Sequence, residues 1–275
     1  MPTIHPTAIV HRDARLGDDV EVGPYCIVED DVTIGAGSVL RAHSVVRRHT
    51  SLGQRNLVES FAVLGGEPQD LKFDPATVSF LRIGDDNTFR EGVTISRATG
   101  EGLATTVGSR TFWMTGAHAG HNAVVEDECI LVNGAVLAGH TILGRRAILS
   151  AHIGVHQYCW IGEGAMGQGN SAVTMHVPPY SLFANVNRVV GLNSVGLRRW
   201  PGLAENDRRQ VKEAFALTYR RGLPLREALA RMDEHADWGV AAHAFREFIH
   251  RVVKASHPHD RGLCPLRRRS RVGDD

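Results

Sequence analysis

Along most of this chain an aliphatic residue returns at every sixth position, with polar and small residues between. The repeated position reads Ile4, Val10, Leu16, Val22, Val28, Ile34, Leu40, Val46, Leu52, Val58 and Leu64. It resumes at Ile83, Phe89 and Ile95, then runs through Val107, Trp113, Ala119, Val125, Leu131, Leu137, Leu143, Leu149, Val155, Ile161, Gly167 and Val173. A period of six fits neither a helix at about 3.6 nor the alternation of a half-buried strand. It is the period of a hexapeptide solenoid, in which each hexad forms one flat side of a three-sided coil and about 18 residues complete a turn. The pattern predicts a mainly β protein, a parallel β-helix over residues 1–187, with the repeated aliphatic pointing inward.

Two stretches break the phase. Residues 66–80, GEPQDLKFDPATVSF, hold two prolines and no sixfold pattern, and residues 96–106 are rich in Gly and Thr. Both are read as excursions from the scaffold, where function is commonly placed. MHVPPY after Val173 is expected to end the solenoid, since consecutive prolines interrupt a hydrogen-bonded ladder. Over residues 188–256 the period becomes helical. One amphipathic helix is predicted from Leu203 to Arg221, ending before Gly222, and two more over 224–236 and 238–254, the last capped by Asp237. The tail 257–275 is basic, has little to bury and is expected to be disordered.

Phase also gathers histidines. The hexads beginning at Ala119, Leu137 and Val155 are 18 residues apart, so they stack on one side of successive coils, roughly 4.8 Å apart. They bring His121, His140, His156 and Gln157 onto one ridge, with His118 just before the first.

Net charge is only +1, so no general affinity for nucleic acid is implied. The distribution is more informative: residues 1–187 carry 13 Lys and Arg against 19 Asp and Glu, a balance of −6, while residues 188–275 carry 18 against 11, a balance of +7. The C-terminal region should attract an acidic partner. No apolar run is long enough to span a membrane and the N-terminus lacks a leader pattern, so a cytoplasmic protein is expected. Cys26, Cys129 and Cys159 each lie two residues before a repeated aliphatic, a phase otherwise held by small residues, and are read as packed corner residues rather than as disulfides or metal ligands. The exposed flat sides of a solenoid suggest that copies pack side against side, and a homotrimer is expected.

With these residues in view, the chain resembles the acyl-carrier-protein-dependent UDP-N-acetylglucosamine O-acyltransferases of lipid A biosynthesis. The resemblance is carried by GGEPQDLKF (65–73), GAHAGH (116–121), LAGH (137–140), GVHQYC (154–159), VPPY (177–180) and GLNSVGLRR (191–199). It covers the chain to about residue 250. It implies a left-handed coil, which periodicity does not reveal, and transfer of a 3-hydroxyacyl chain from acyl-carrier protein to the 3-position of the sugar, the first step of lipid A biosynthesis. Neither a metal nor an organic cofactor is implied, because the acyl group arrives as a thioester.

By the same resemblance His121 would be the general base, the side chain type whose pKa best suits removal of a hydroxyl proton near neutrality. The backbone N–H of Gly139 would hold the oxyanion. Asn122 stands where the family commonly has aspartate; its oxygen can orient the imidazole but brings no charge to stabilise the imidazolium. Asp70, Lys72, His118, His140 and Gln157 match positions that hold the sugar and diphosphate, and Asn193 and Arg199 match nucleotide contacts. Val195 and Ser96 replace a common glutamate and histidine. His156, Met166 and Gly169 fall where the acyl chain would lie between subunits, and Arg220 and Arg221 offer a docking surface for the acidic carrier. Asn122 motivates a second acceptor, a 3-amino sugar, and with Val195 and Ser96 a scaffold that only binds nucleotide sugar. A γ-class carbonic anhydrase is a remote alternative, disfavoured by the histidine spacing and by QDLK.

Overall fold

The computed structural model describes residues 1–235 and 237–267. Short strands, most of two residues, recur from Thr3–Ile4 to Ala172–Val173 and, with two later strands, form three sheets of 11, 9 and 8 strands, parallel except for the last pair of the first. These are the first, second and third faces of the coil, in the order the chain visits them. Pairing joins residues 18 apart: His118 faces Val136, which faces Gly154, and beside them Ala119 faces Leu137, which faces Val155. Every repeated position sits inside a strand, and from Val22 onward each is buried. Burying such a side chain stabilises by about 1.5–3 kcal/mol, and the repetition makes the core continuous. At the open N-terminal end Ile4 remains 45% exposed, because no preceding coil covers it.

The corners explain the small residues. A Cβ on Gly35 would lie 2.5 Å from the carbonyl of Gly53 in the next coil, so the backbones pass too closely for any side chain there. Each turn also uses a residue in left-handed conformation, including Asn122 and His140 (both φ +59°) and Tyr158 (φ +65°). Asparagine tolerates this region well, and the conformation splays these side chains outward in one column. All four cysteines are free and buried, three of them at the expected corner positions.

Both excursions leave from the corner between the second and third faces. The first separates strands Val63–Gly66 and Phe80–Ile83, the second Thr94–Ser96 and Ala104–Val107, so the second rejoins the ladder slightly earlier than its composition suggested. Leu52 pairs with Ile83, and Ile83 with Val107: the ladder keeps register across the added residues. A buried polar ladder bridges these enlarged coils. Asn56 Oδ1 accepts from the Asn87 N–H at 3.0 Å, and Asn87 Oδ1 accepts from the Thr111 N–H at 2.8 Å.

Two expectations need correction. The solenoid does not stop at Val173. Val177 bridges Ile161, Ser181–Ala184 adds a parallel strand to the first face, and Arg188–Leu192 closes it antiparallel. Pro178 is tolerated because no later coil on the third face needs its missing N–H. The beginning of the tail is also ordered. His176 and Val189 bridge Leu263 and Leu266, and Cys264 is fully buried. Its apolar residues complete the end of the solenoid, a use that no local pattern signals; residues 268–275 lie outside the described residues.

Four helices follow the last strands: α1 (Ser194–Arg199), α2 (Glu205–Tyr219), α3 (Leu225–Asp233) and α4 (Val240–Lys254). Helix α1 was not anticipated, and α4 is capped by Gly239 rather than Asp237. Helices α2, α3 and α4 bury Val211, Phe215, Leu229, Met232, Phe245 and Ile249 between them.

One histidine anchors the tail. His176 is fully buried; its Nδ1 accepts from the Trp160 N–H at 3.1 Å and its Nε2–H donates to the His259 carbonyl at 2.8 Å. Burial pushes its pKa down to about 4, against the opposing hydrogen bond to His259. Between pH 6.5 and about 4 the unfolded chain therefore binds a proton that the folded chain refuses, so stability falls as pH drops through this window. Thermal melts should show this fall, and His176→Asn, whose amide oxygen can still accept the Trp160 N–H, should reduce it.

Candidate active site

The corner between the second and third faces carries the ridge. His121, Gly139 and Gln157 occupy equivalent positions in three successive coils, followed by Asn122, His140 and Tyr158. The His121 and His140 rings meet edge to face with centroids 5.2 Å apart, and His140 stacks on Tyr158 at 4.6 Å. Tyr158 was absent from the expected site residues, although it follows His156 and Gln157 at the corner phase. His118 points outward from the second face and shares a 2.8 Å hydrogen bond with Thr94 Oγ1. Burial lowers the pKa of both His118 and His140; His121 and His259 lower that of His140 further, and the Asp70 carboxylate opposes them. These two rings are therefore suited to accept or donate hydrogen bonds as neutral groups.

His121 is oriented by its neighbour. Its Nδ1–H donates to Asn122 Oδ1 at 2.9 Å, which leaves the Nε2 lone pair to receive a proton. Gly139 lies directly beneath the ring: a Cβ there would come within 2.6 Å of His121 Cε1 and 2.7 Å of Nε2. Some corner amides at the phase of Gly139 are answered by a side chain. The N–H groups of Arg48, Gln54, Ser109 and Arg145 are capped by Glu29, Asp85, Asp127 and Glu126 from an adjacent coil. That of Gly139 has no partner among the described residues, so this donor stands free beside the imidazole, as an oxyanion site requires.

The excursions flank this corner. Asp70 and Lys72 lie on the first, where Asp70 Oδ1 accepts from the Lys72 N–H at 2.9 Å; both are exposed, as is Leu71 between them. Arg97, which sequence reading missed, ties the two loops together. It is fully buried, donates to the Thr77 carbonyl at 2.7 Å and lies 5.0 Å from the Phe73 ring centroid. Ser96 is buried in its strand.

The remaining candidates divide away from this ridge. His156 is exposed at the same corner, with its Nδ1–H donating to the Gln157 carbonyl at 3.2 Å. Met166, Asn193, Val195 and Arg199 instead line a cavity of about 620 Å³ on the first face, together with Arg110, Arg146 and Trp200. In a three-sided coil that face lies opposite the histidine corner, so one chain cannot bring the two groups together. Asn193 is committed to structure: its Oδ1 caps α1 through the Gly196 N–H at 2.9 Å and its Nδ2 donates to the Gly164 carbonyl at 3.0 Å. Gly169 sits at the corner of the first and second faces, where a Cβ would come within 3.3 Å of the Ala151 carbonyl oxygen. Arg220 and Arg221 end α2, with Arg220 lying over Phe215 at 5.4 Å and Arg221 3.5 Å from Glu213. A denser set of cations, Arg198, Arg208, Arg209 and Lys212, surrounds a 610 Å³ cavity between α1 and α2. No helix among the described residues is long and apolar enough to cross a membrane.

A hexapeptide solenoid with a histidine-lined corner and a helical C-terminal domain defines a class, the hexapeptide-repeat acyltransferases. Residues 13–48 match the bacterial transferase hexapeptide repeat, and residues 176–264 match the second domain of the UDP-N-acetylglucosamine O-acyltransferases. The acyl-[acyl-carrier-protein]–UDP-N-acetylglucosamine O-acyltransferase of Synechocystis is 41% identical over 236 residues, covering 86% of this chain and 85% of its own. That of Stutzerimonas stutzeri is 38% identical and covers 90% and 96%. The UDP-N-acetylglucosamine acyltransferase structure from Francisella novicida superposes with a TM-score of 0.89 at 30% identity, over 97% of this chain and 95% of that one. The structure from Moraxella catarrhalis gives 0.85 at 35%, over 90% and 96%. The chain belongs to the acyl-[acyl-carrier-protein]–UDP-N-acetylglucosamine O-acyltransferase family, and its solenoid is a left-handed parallel β-helix.

Gly139→Ala should place its methyl group against the His121 ring and displace it. Activity is expected to fall by about 10²-fold or more, with circular dichroism unchanged because the atoms nearest the added methyl belong to the His121 side chain rather than to the coil backbone.

Proposed function

We propose that this chain transfers a 3-hydroxyacyl group from the thioester of acyl-carrier protein to the 3-hydroxyl of UDP-N-acetylglucosamine. The observation that carries the reading is the pairing of an oriented imidazole, His121, with the uncapped N–H of Gly139 at one corner. His121 Nε2 takes the hydroxyl proton as the sugar oxygen attacks the thioester carbon. The resulting oxyanion is held by the Gly139 N–H. Collapse expels the carrier thiolate, which recovers the proton from His121, leaving an ester and a free thiol.

Asp70, Lys72, His118, His140 and Gln157 stand around that corner as polar contacts for the sugar and diphosphate, Lys72 supplying positive charge. The opposite placement of Met166 and Arg199 supports a homotrimer in which a neighbouring copy supplies the cavity of about 620 Å³. Exposed Leu71 at the loop tip gives a second reason, an apolar residue with nothing to cover it in one chain. The cationic rim of Arg198, Arg209 and Lys212, continued by Arg220 and Arg221, suits the acidic carrier. Soluble action in the cytoplasm, where activated carrier and nucleotide sugar are made, fits this chemistry.

The neutral Asn122 favours a second acceptor, the 3-amino analogue, whose nitrogen needs less help from a charged partner of the base. In single-turnover assays with both acceptors, His121→Ala should lose about 10²- to 10⁴-fold with the hydroxyl sugar; a wild-type rate would refute the assignment. Light scattering should give three times the 30.0 kDa chain mass, and a monomer would refute the shared site.

A further inference from the structure

The base is oriented by an amide rather than a carboxylate, and an amide has two unlike ends. With aspartate at this position either oxygen could accept the His121 Nδ1–H, so rotation of the side chain would change nothing. With Asn122 a half-turn about its last torsion presents an NH2 group instead. His121 Nδ1 would then have to accept, the ring proton would move to Nε2, and the nitrogen that must take the substrate proton would already carry one.

The second excursion meets this amide directly. Asn122 Oδ1 accepts from the Thr99 backbone N–H at 3.1 Å and from Thr99 Oγ1 at 2.9 Å, in addition to His121 Nδ1 at 2.9 Å. A backbone N–H can only donate, so the atom facing it is the oxygen. The Asn122 N–H is held in turn by Thr105 Oγ1 at 2.8 Å, which fixes the main chain beneath the side chain. Flipping the amide would set its NH2 group against the Thr99 N–H and force the Thr99 hydroxyl to turn from donor to acceptor. Thr99 is itself positioned two residues after buried Arg97, whose guanidinium holds the carbonyl of Thr77 in the first excursion.

We infer that Thr99 is a positioning residue that locks Asn122 with its oxygen toward His121, and so sets the imidazole tautomer needed for catalysis. The inference rests on His121 acting as the base and adds a residue that touches neither substrate nor reacting atoms. Its distinctive consequence is epistasis, because the lock matters only while position 122 has unlike ends.

The test compares wild type, Thr99→Val, Asn122→Asp and the double variant in steady-state transfer from 3-hydroxyacyl carrier protein to UDP-N-acetylglucosamine. Thr99→Val is expected to lower kcat about five- to tenfold in the Asn122 chain, with KM changed less than about twofold, as loss of one orienting hydrogen bond predicts. In the Asn122→Asp background the same change should cost less than about twofold, since either carboxylate oxygen accepts. Thr99→Ser should behave as wild type. Thr99→Ala, which cannot overpack the corner, should follow Thr99→Val in each background, with thermal melts confirming folded protein throughout. Equal losses in both backgrounds, or no loss in wild type, would overturn the lock. His121→Ala separates the two levels: if it is inactive while epistasis is absent, the lock alone fails, and if it keeps the wild-type rate, the base assignment fails and the lock with it.

Discussion

Everything in this molecule depends on the parallel backbone ladder that joins each residue to one 18 positions on. Strands of two residues are too short to hold together through local preference. They persist because each donates to the coil ahead and accepts from the coil behind, while one aliphatic per hexad closes the interior. Where residues are added between Val58 and Val107, the ladder resumes in register through Leu81, Ile83 and Thr105, and the surplus chain is expelled outward. Because both surpluses leave at one corner, the loops frame the next coils of that corner, which carry His121, His140 and Tyr158.

The same regularity accounts for the chemistry of the corner. A solenoid turn leaves corner amides without a ladder partner, and at some corners of this chain a carboxylate from an adjacent coil answers one. At Gly139 the answer is withheld and the β-carbon is absent, so an imidazole and a free donor share one small space. Left-handed backbone conformation at Asn122 and His140 turns their side chains outward into this space. The site therefore consists of ordinary corner positions occupied by residues that leave a donor unanswered and add an oriented imidazole.

The C-terminal segment secures the far end of the ridge. His259 Nδ1–H donates to the Tyr158 carbonyl at 3.3 Å, its ring meets Tyr158 edge to face, and Arg251 lies 3.8 Å over Trp160. The stack from His121 through His140 and Tyr158 thus ends against residues about 100 positions later. Many of the cations after residue 187 lie on the helices beside the solenoid, while Arg261 lies 5.9 Å from the Tyr158 ring centroid at the end of the ridge.

Periodicity alone determined much of this protein: the three-sided coil, the inward aliphatics, the buried corner cysteines, the two excursions and the histidine ridge. These follow from local spacing, because a repeat of six admits one stacking and 18-residue intervals then align side chains without further information. Tertiary structure decided what spacing does not encode. It packed the start of a basic tail into the core through Cys264, carried the first face past Pro178 and Pro179, and turned Asn193 into a helix cap. It placed Arg199 and Met166 on the face opposite the ridge, and it brought Thr99 and Arg97, which lie in unphased segments, to the histidine corner. A residue inside the repeat inherits its position from its number, whereas a residue in a loop is placed only by the hydrogen bonds that capture it.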